Sequence, residues 1–319
     1  MIKKRRKIKK QVYYFFIILI VIFILIFALI KHINYIHSYK YKLGKLGYNE
    51  NETETILTLT DNQIENILDR KYNSNIVTFI KQKYFIFSNL DRYLSYKKNN
   101  KSEKTSKIVS LVNVNADYNW YDEDAIQNTD TSLGNLMLVN KFYHLSEDFK
   151  PNDIEEASVT LAYDDNSATK EVLSAFKKMW HAAKSKDLNL IITSSYRTYS
   201  EQESLWDSYA NKNGDDWADL YAARAGYSEH QTGLAIDIVT YNSTMDNFDK
   251  SDEAKWLKKN AYKYGFILRY PKGKEDITGY DYEPWHYRYV GVEAAKIIND
   301  ENITFDEYYA YYIENKNTK

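Results

Sequence analysis

The sequence predicts an α+β fold, in which a small antiparallel sheet flanked by helices follows a transmembrane helix and a helical spacer. Three observations support this prediction. Residues 12–30 carry no charge and are dominated by Ile, Phe, Leu and Val. Residues 31–108 contain apolar side chains at helical spacing, and from Val109 onward short β-type runs alternate with amphipathic helices.

The apolar run at residues 12–30 would span about 28 Å as a helix, close to the hydrocarbon thickness of a bilayer. Seven basic side chains lie directly before it, at Lys3, Lys4, Arg5, Arg6, Lys7, Lys9 and Lys10. Because basic flanks stay in the cytoplasm, we expect a cytoplasmic tail at 1–11, a single-pass signal anchor at 12–30 and an extracellular remainder. A cleaved signal peptide and a buried core helix are the alternatives. The chain after Ala28 offers no small-residue cleavage site, and a core helix is rarely apolar on every face.

Residues 31–108 are expected to form a helical spacer and linker. Thr60–Gln63 resembles a helix start with Asp61 as its cap, and a second helical stretch is expected over Val77–Tyr96. A loosely ordered stalk is the alternative for a segment of this composition. The polar run at 97–107 is typical of a linker to the next domain.

Residues 109–319 are predicted to form the α+β domain. Apolar residues at three- and four-residue spacing predict a helix over Ala168–Lys186, and Leu190–Thr193 predicts a short strand. Ser200 and Glu203 suggest a capping box for the following helix. A further helix is expected at 252–264, and further strands at 233–239, 266–270 and 285–290.

Composition excludes several classes of function. The chain has a formal net charge of -1, and removing the seven basic residues at 3–10 leaves -8 for the rest. A mildly acidic remainder argues against nucleic acid as a partner, because phosphate binding needs a concentrated basic surface. The chain has no cysteine, so thiolate metal sites and cysteine nucleophiles are excluded. Any metal must be held by His, Asp or Glu.

Two short segments carry the ligand types of a metal site. His230 and Asp237 lie seven positions apart, and His286 follows Glu283 by three. If 233–239 is a strand, alternation places Asp237 opposite an apolar face, where it projects into a cleft. Two imidazoles and one carboxylate form a catalytic zinc set, with Glu283 left to carry protons, which indicates metal-assisted hydrolysis. The alternative is that His230 and Asp237 are ordinary polar residues.

The segment SEHQTGLAID, from Ser228 to Asp237, resembles the S-x-H-x-x-G-x-A-x-D signature of zinc D-alanyl-D-alanine carboxypeptidases of the VanY type, which are LAS-type peptidoglycan peptidases. The resemblance covers roughly residues 130–300. It extends to Leu138–Lys141, Ser194–Arg197 with Gln202, Trp256–Pro271, Thr278–Tyr280 and Glu283–Gly291. Two positions depart from the family pattern, since relatives often have proline at Ala225 and glycine at Ser195.

The resemblance implies that His230, Asp237 and His286 bind Zn²⁺. It also implies that Glu283 is the general base, which deprotonates water and later protonates the leaving amine. The zinc site would lie in the cleft of the small sheet.

The resemblance further implies that Arg197 binds the peptide carbonyl or the terminal carboxylate of the substrate. Ser194, Gln202 and Ser228 are implied substrate contacts. An ordinary ion pair is the alternative role for Arg197. Arg269 and Arg288 are expected to be structural.

The sequence thus predicts a membrane-anchored, extracellular zinc carboxypeptidase that removes C-terminal D-alanine from peptidoglycan stem peptides. Its expected partners are those peptides and, through the N-terminal helix, the cell membrane. An L,D-carboxypeptidase, a D,D-dipeptidase or an endopeptidase on the same fold remains open. So do a catalytically silent cell-wall-binding module and a membrane-tethered structural protein.

Overall fold

The computed structural model describes residues 2–158, 160–163, 165–241 and 243–315. The chain divides into two compact units, with the boundary between Ser106 and Lys107. Met1 of the predicted tail and residues 316–319 of the predicted domain at 109–319 lie outside the described residues. The basic side chains at 3–9 are also outside the described part, although their backbone is helical.

The first unit is entirely helical in its described residues. Helix α1 spans Ile2–Ile36, and its stretch Val12–Tyr35 is long and apolar enough to cross a membrane, with none of it buried in protein. The other helices are α2 (Tyr39–Leu46), α3 (Glu50–Ile56), α4 (Asp61–Leu68), α5 (Ser74–Ile80) and α6 (Leu90–Asn99). Helix α7 (Thr105–Asn113) runs across the boundary.

A small apolar core holds α2 to α6 together. Its buried members are Leu43, Tyr48, Ile56, Ile64, Ile67, Ile76, Val77 and Leu90. The cap of α4 is Thr60 rather than the expected Asp61, because the Gln63 side chain accepts the Thr60 N–H at 3.1 Å. The stretch predicted over 77–96 forms two helices rather than one, separated by a turn at 81–86 and a short 3₁₀ turn.

The second unit combines helices with small sheets, which confirms the mixed α+β prediction. Its main sheet has four antiparallel strands in the order β5–β6–β8–β7. Those strands are β5 (Ile191–Ser194), β6 (Ala235–Val239), β7 (Phe266–Leu268) and β8 (His286–Tyr289). Two further two-stranded sheets pair β1 (Gln127–Asn128) with β2 (Tyr143–His144) and β3 (Ile154–Glu156) with β4 (Ser167–Thr169).

Helices surround the main sheet. They are α8 (Lys170–Lys184), α9 (Tyr199–Asn213), α10 (Asp215–Tyr221), α11 (Asp252–Asn260), α12 (Glu275–Thr278), α13 (Val292–Glu301) and α14 (Phe305–Tyr308). The capping box of α9 is formed by Thr198 and Glu201, not by Ser200 and Glu203 as predicted. The predicted helix start at Ala168 is also two residues early, because Ser167–Thr169 belongs to β4.

Alternation along β6 determines which side chains face the core. Ile236 and Ile238 are fully buried in the same apolar cluster as Phe176 of α8. Asp237, between them, points to the other face, as strand geometry requires. The strand register then places Ser194 and His286 directly opposite Asp237 on its two neighbouring strands. Polar side chains from three strands therefore meet in one row across the sheet.

Candidate active site

A cleft of about 620 Å³ lies over this polar row. All eight residues expected in the site line it: Ser194, Arg197, Gln202, Ser228, His230, Asp237, Glu283 and His286. They come from β5, α9, the turn before β6, β6 itself and the segment that enters β8. The fold thus gathers residues that are up to 92 positions apart in the chain, from Ser194 to His286.

His230 reaches the row from a 3₁₀ turn, Glu229–Thr232, which Gly233 ends in a left-handed conformation with φ +67. A side chain on Gly233 would also collide with Ile154, whose Cδ1 lies 2.6 Å from the Cβ position. Glycine is therefore required for the chain to turn directly from His230 into β6.

Three side chains could hold a metal ion. His230 Nε2 lies 3.6 Å from Asp237 Oδ2, and His286 Nδ1 lies 3.1 Å from Asp237 Oδ1. One ligand atom from each of the three residues lies within 4.8 Å of the others, and all three side chains are buried. Donors this close can share a single ion.

Hydrogen bonds fix which nitrogen each imidazole presents. His230 Nδ1 lies 2.6 Å from the carbonyl oxygen of Ser195, so Nδ1 carries the proton and Nε2 faces Asp237. His286 Nε2 lies 3.3 Å from a carboxylate oxygen of Glu229, so Nε2 donates and Nδ1 faces Asp237. Such outer partners commonly orient metal-binding histidines.

The electrostatics of these residues suit a cation. Burial lowers the pKa of His230 to about 3, so its imidazole is neutral and offers a lone pair. Burial also acts to lower the pKa of His286, but Asp237 and Glu229 outweigh it and raise the pKa to about 10. Asp237 Oδ1 is buried without a hydrogen-bond partner in the described structure. A positive charge between these groups is therefore favoured, and the two-nitrogen, one-oxygen donor set fits zinc.

Glu283 stands beside the three ligands without joining them. One of its carboxylate oxygens is 3.6 Å from His286 Nδ1, and its backbone N–H bonds the carbonyl oxygen of Tyr270 at 3.2 Å. Burial raises the pKa of Glu283 to about 8. A carboxyl with a pKa raised towards neutrality is suited to taking and returning a proton.

Arg197 lines the same cleft. Its guanidinium donates to Gln202 Oε1 at 2.6 Å and to Ser194 Oγ at 2.9 Å. Within the described chain it forms no ion pair with a carboxylate at 4 Å or less, so nothing there supports an ordinary ion pair. Ser194 and Gln202 orient this cation, and Ser228 Oγ accepts the backbone N–H of His230 at 3.3 Å.

The chain matches the VanY family, described as D-alanyl-D-alanine carboxypeptidase, over residues 165–292. It is 42% identical to YodJ of Bacillus subtilis (strain 168) over 193 residues, which are 58% of this chain and 70% of that protein. It is 34% identical to VanXYC of Enterococcus gallinarum, named a bifunctional D-Ala-D-Ala dipeptidase and D-Ala-D-Ala carboxypeptidase. That match covers 56% of this chain and 95% of the relative. The chain belongs to the VanY family.

Solved structures agree with this assignment. The LdcB LD-carboxypeptidase superposes with a TM-score of 0.56 and 40% identity, covering 60% of this chain and 92% of that one. The vancomycin resistance D,D-dipeptidase VanXYg superposes with a TM-score of 0.50 and 31% identity, covering 56% of this chain and 72% of that one. The protein is accordingly a carboxypeptidase-family enzyme.

One of the two departures from the VanY pattern has a direct structural role. The Ser195 hydroxyl donates to Asn166 Oδ1 at 2.8 Å and accepts the Ser167 N–H at 2.8 Å. Its carbonyl oxygen is the partner of His230. A serine at this position therefore ties the segment before β4 to the strand end that orients a metal ligand.

Sequence analysis missed Glu229. Its carboxylate is wholly buried and bonds Arg269 Nε at 2.7 Å, Arg288 Nη1 at 2.9 Å and His286 Nε2 at 3.3 Å. Burial acts to raise the pKa of Glu229, but the two guanidiniums outweigh it and hold the pKa well below its usual range. Two features of the sequence could have indicated this role. Glu229 is adjacent to His230, and two arginines, Arg269 and Arg288, were expected to be structural.

This network extends away from the cleft. Arg269 also bonds both carboxylate oxygens of Asp306, at 2.5 and 3.0 Å, and Asp306 accepts from the Asn140 side chain at 2.8 Å. Each of these residues is at most 5% exposed. The orientation of His286 is thereby linked to the packing of α14.

We expect Glu229→Gln to weaken both the fold and the metal site. Removing the charge leaves two buried guanidiniums poorly compensated, which should lower the free energy of unfolding by about 3–5 kcal/mol. Zn²⁺ affinity should fall about 10- to 100-fold, because His286 loses the acceptor that orients it. Urea unfolding and zinc titration measure the two effects, with exposed Glu293→Gln as the control. Unchanged zinc affinity would remove Glu229 from this role.

The raised pKa of Glu283 predicts the pH dependence of turnover. A general base works when deprotonated, so kcat/KM should rise with pH through the pKa of this group. A cation on the three ligands lowers that pKa from about 8, which places the rise between pH 4.5 and 8. Rate profiles from pH 4 to 9 measure it, and a flat profile across that interval contradicts the assignment.

Proposed function

We propose that this protein is a membrane-anchored, extracellular zinc carboxypeptidase that removes C-terminal D-alanine from peptidoglycan stem peptides. The observation that carries the proposal is the single cleft that contains His230, Asp237 and His286 beside Glu283 and Arg197. An array of metal ligands, proton carrier and fixed cation is suited to cleaving a peptide bond next to a free carboxylate.

His230, Asp237 and His286 would hold the zinc ion. When bound there, Zn²⁺ supplies a Lewis acid for the peptide carbonyl and lowers the pKa of water. The imidazole tautomers described above keep a lone pair of each ring directed at the ion.

Glu283 would remove a proton from the attacking water and then deliver it to the departing D-alanine amine. Arg197 would bind the terminal carboxylate of the substrate or the carbonyl oxygen as it gains charge. Ser194 and Gln202 would contribute to substrate binding by holding the Arg197 guanidinium in place. Ser228 would contribute by fixing the turn that carries His230. A binding module needs no such proton carrier, which argues against a catalytically silent role.

The second candidate is L,D-carboxypeptidase activity. It is favoured by the likeness to LdcB, which has a TM-score of 0.56 and 40% identity. The two activities differ in the configuration of the residue before the cleaved D-alanine, so the shape of the cleft decides between them.

The membrane assignment rests on the exposed apolar stretch Val12–Tyr35 and the seven basic residues before it. We assign residues 1–11 to a cytoplasmic tail, 12–30 to the anchor, 31–108 to a spacer with its linker, and 109–319 to the zinc carboxypeptidase domain. Substrate and membrane would then be the two partners of the protein.

Glu283→Gln should lower kcat by about 10²- to 10⁴-fold while bound zinc is retained, because it removes only the proton carrier. The assay incubates the protein with muropeptides ending in one or two D-alanines and weighs the products. Glu293→Gln is the control. Loss of one alanine from the pentapeptide supports D,D-carboxypeptidase action, and loss from the tetrapeptide supports the L,D alternative. Release of an intact D-Ala-D-Ala dipeptide supports endopeptidase action, and hydrolysis of free D-Ala-D-Ala supports dipeptidase action. Activity that survives chelation of zinc would overturn the metal assignment.

Arg197→Ala should lower kcat/KM about 10²- to 10³-fold on peptides with a free C-terminal carboxylate, because a charge-assisted contact in a buried cleft is lost. A matched peptide with an amidated C-terminus is the control. The wild type should discriminate strongly between the two peptides, and the variant should not. If both proteins discriminate equally between the free and the amidated peptide, Arg197 does not bind the terminal carboxylate.

The absence of cysteine allows topology to be mapped with single introduced thiols. Asn51→Cys should react with a membrane-impermeant maleimide on intact cells, whereas Ile2→Cys should react only after lysis. If the mature protein lacks residue 2 while Asn51→Cys is labelled, the helix is a cleaved signal peptide and not an anchor.

A further inference from the structure

Lys141 is a buried cation that the proposed mechanism does not use. It lies in the segment Leu138–Lys141, and its side chain is only 1% exposed. Its ammonium donates to two backbone carbonyl oxygens, of Asp219 and of Gly279, each at 2.6 Å. Neither partner is a carboxylate, so the ammonium joins two pieces of backbone.

Those two carbonyls belong to two elements that both contribute to the cleft lining. Asp219 lies in α10, which contributes Trp217 and Tyr221 to the cleft lining. Gly279 ends α12, and the next four residues of the chain, 280–283, all line the cleft and end at Glu283. The Lys141 ammonium therefore connects α10, which carries Trp217 and Tyr221, to the segment that ends at Glu283.

The side chain of Lys141 is closely packed against Gly279 and neighbouring aromatic rings. Gly279 has φ +76, and a Cβ there would lie 3.0 Å from Lys141 Cδ and 3.1 Å from the Trp120 ring. The ammonium also lies 4.4 Å from the ring centroid of Tyr280. Tyr280 packs on Tyr270, which packs on the metal-site residue His286 at a centroid distance of 4.9 Å.

Helix α10 is also held in place by hydrogen bonds that do not involve Lys141. The Asp219 carboxylate accepts from Arg224 at 2.7 and 3.0 Å and from Trp206 Nε1 at 3.0 Å. The Asp219 carbonyl oxygen that Lys141 contacts thus belongs to a helix that is also held by hydrogen bonds from Trp206 and Arg224. The Gly279–Glu283 segment, in contrast, is an irregular connection between α12 and β8. Because α10 has these other hydrogen bonds, we expect the contact with Lys141 to constrain mainly the irregular segment.

Burying an ammonium carries a large desolvation cost, and a hydrophobic side chain of similar length would avoid that cost. Burial lowers the pKa of Lys141 to about 8, so it remains largely charged at neutral pH. This desolvation cost is understandable if the hydrogen bonds of Lys141 fix the position of the Gly279–Glu283 segment relative to α10.

We infer that Lys141 is a positioning residue, whose ammonium clamps α10 to the Gly279–Glu283 segment and so fixes the place of Glu283 in the cleft. The inference rests on the proposed function, since it concerns the placement of the proposed general base. His230 and Asp237 lie on other elements, and His286 is held separately by its pairing with Asp237 in the sheet and by Glu229. The clamp should therefore affect turnover and substrate binding more than zinc binding.

The test compares full-length Lys141→Met with wild type and with Lys296→Met, which removes an exposed lysine paired with Asp300 on α13. Met keeps an unbranched chain but donates no hydrogen bond. We expect kcat to fall about 10- to 100-fold, as a misplacement of about 1 Å can cost. Zinc affinity should stay within twofold of wild type, and Lys296→Met should match wild type throughout. Rates are normalised to folded, zinc-loaded protein.

Wild-type kcat in folded, zinc-loaded Lys141→Met would overturn the inference, as would a loss of zinc affinity in proportion to activity. If Lys141→Met does not fold, Lys141→Gln replaces it, because its amide can donate but is one bond too short to grip both carbonyls. The same fall in kcat is expected, and wild-type kinetics would again overturn the inference. An inactive wild type would instead count against the proposed function.

Discussion

The carboxylate of Glu229 is surrounded by two arginines and a histidine in the interior of the domain, and the candidate metal site depends on this arrangement. A lone buried carboxylate would be protonated, and two lone buried guanidiniums would be costly. Together they compensate each other and leave one carboxylate oxygen for His286 Nε2. The consequence is that Nδ1, rather than Nε2, faces Asp237. The chemistry of the cleft therefore depends on a fully buried ion cluster.

The second constraint is the register of the main sheet. Because Asp237 pairs with His286 on one side and with Ser194 on the other, one strand positions both a ligand and the residue that supports Arg197. A register shift of one residue would turn Asp237 into the apolar core and disrupt the whole row. The apolar packing of Ile236 and Ile238 against α8 therefore specifies the geometry of the site as well as the stability of the domain.

Much of this architecture could be predicted from the sequence. Alternation in β6 placed Asp237 opposite the apolar face, and the short spacings from His230 to Asp237 and from Glu283 to His286 indicated a metal site. Local capping was harder, since Thr198 and Ser200 both precede a glutamate by three positions and only the backbone conformation selects Thr198. The roles of Glu229, Asp306 and Lys141 could not be predicted, because each depends on partners 37 to 138 positions away. Sequence periodicity reports which face is buried, and it carries no information about which buried charges meet.

The dependence of the metal site on Glu229 can be tested directly through the protonation pattern of the two imidazoles in the zinc-loaded protein. Long-range ¹H–¹⁵N NMR on histidine-labelled samples measures this pattern. We expect His286 to carry its proton on Nε2 and to bind the metal through Nδ1, and His230 to carry its proton on Nδ1 and to bind through Nε2. A His286 that binds zinc through Nε2 could not donate to Glu229. That result would contradict the dependence of the site on the buried ion cluster.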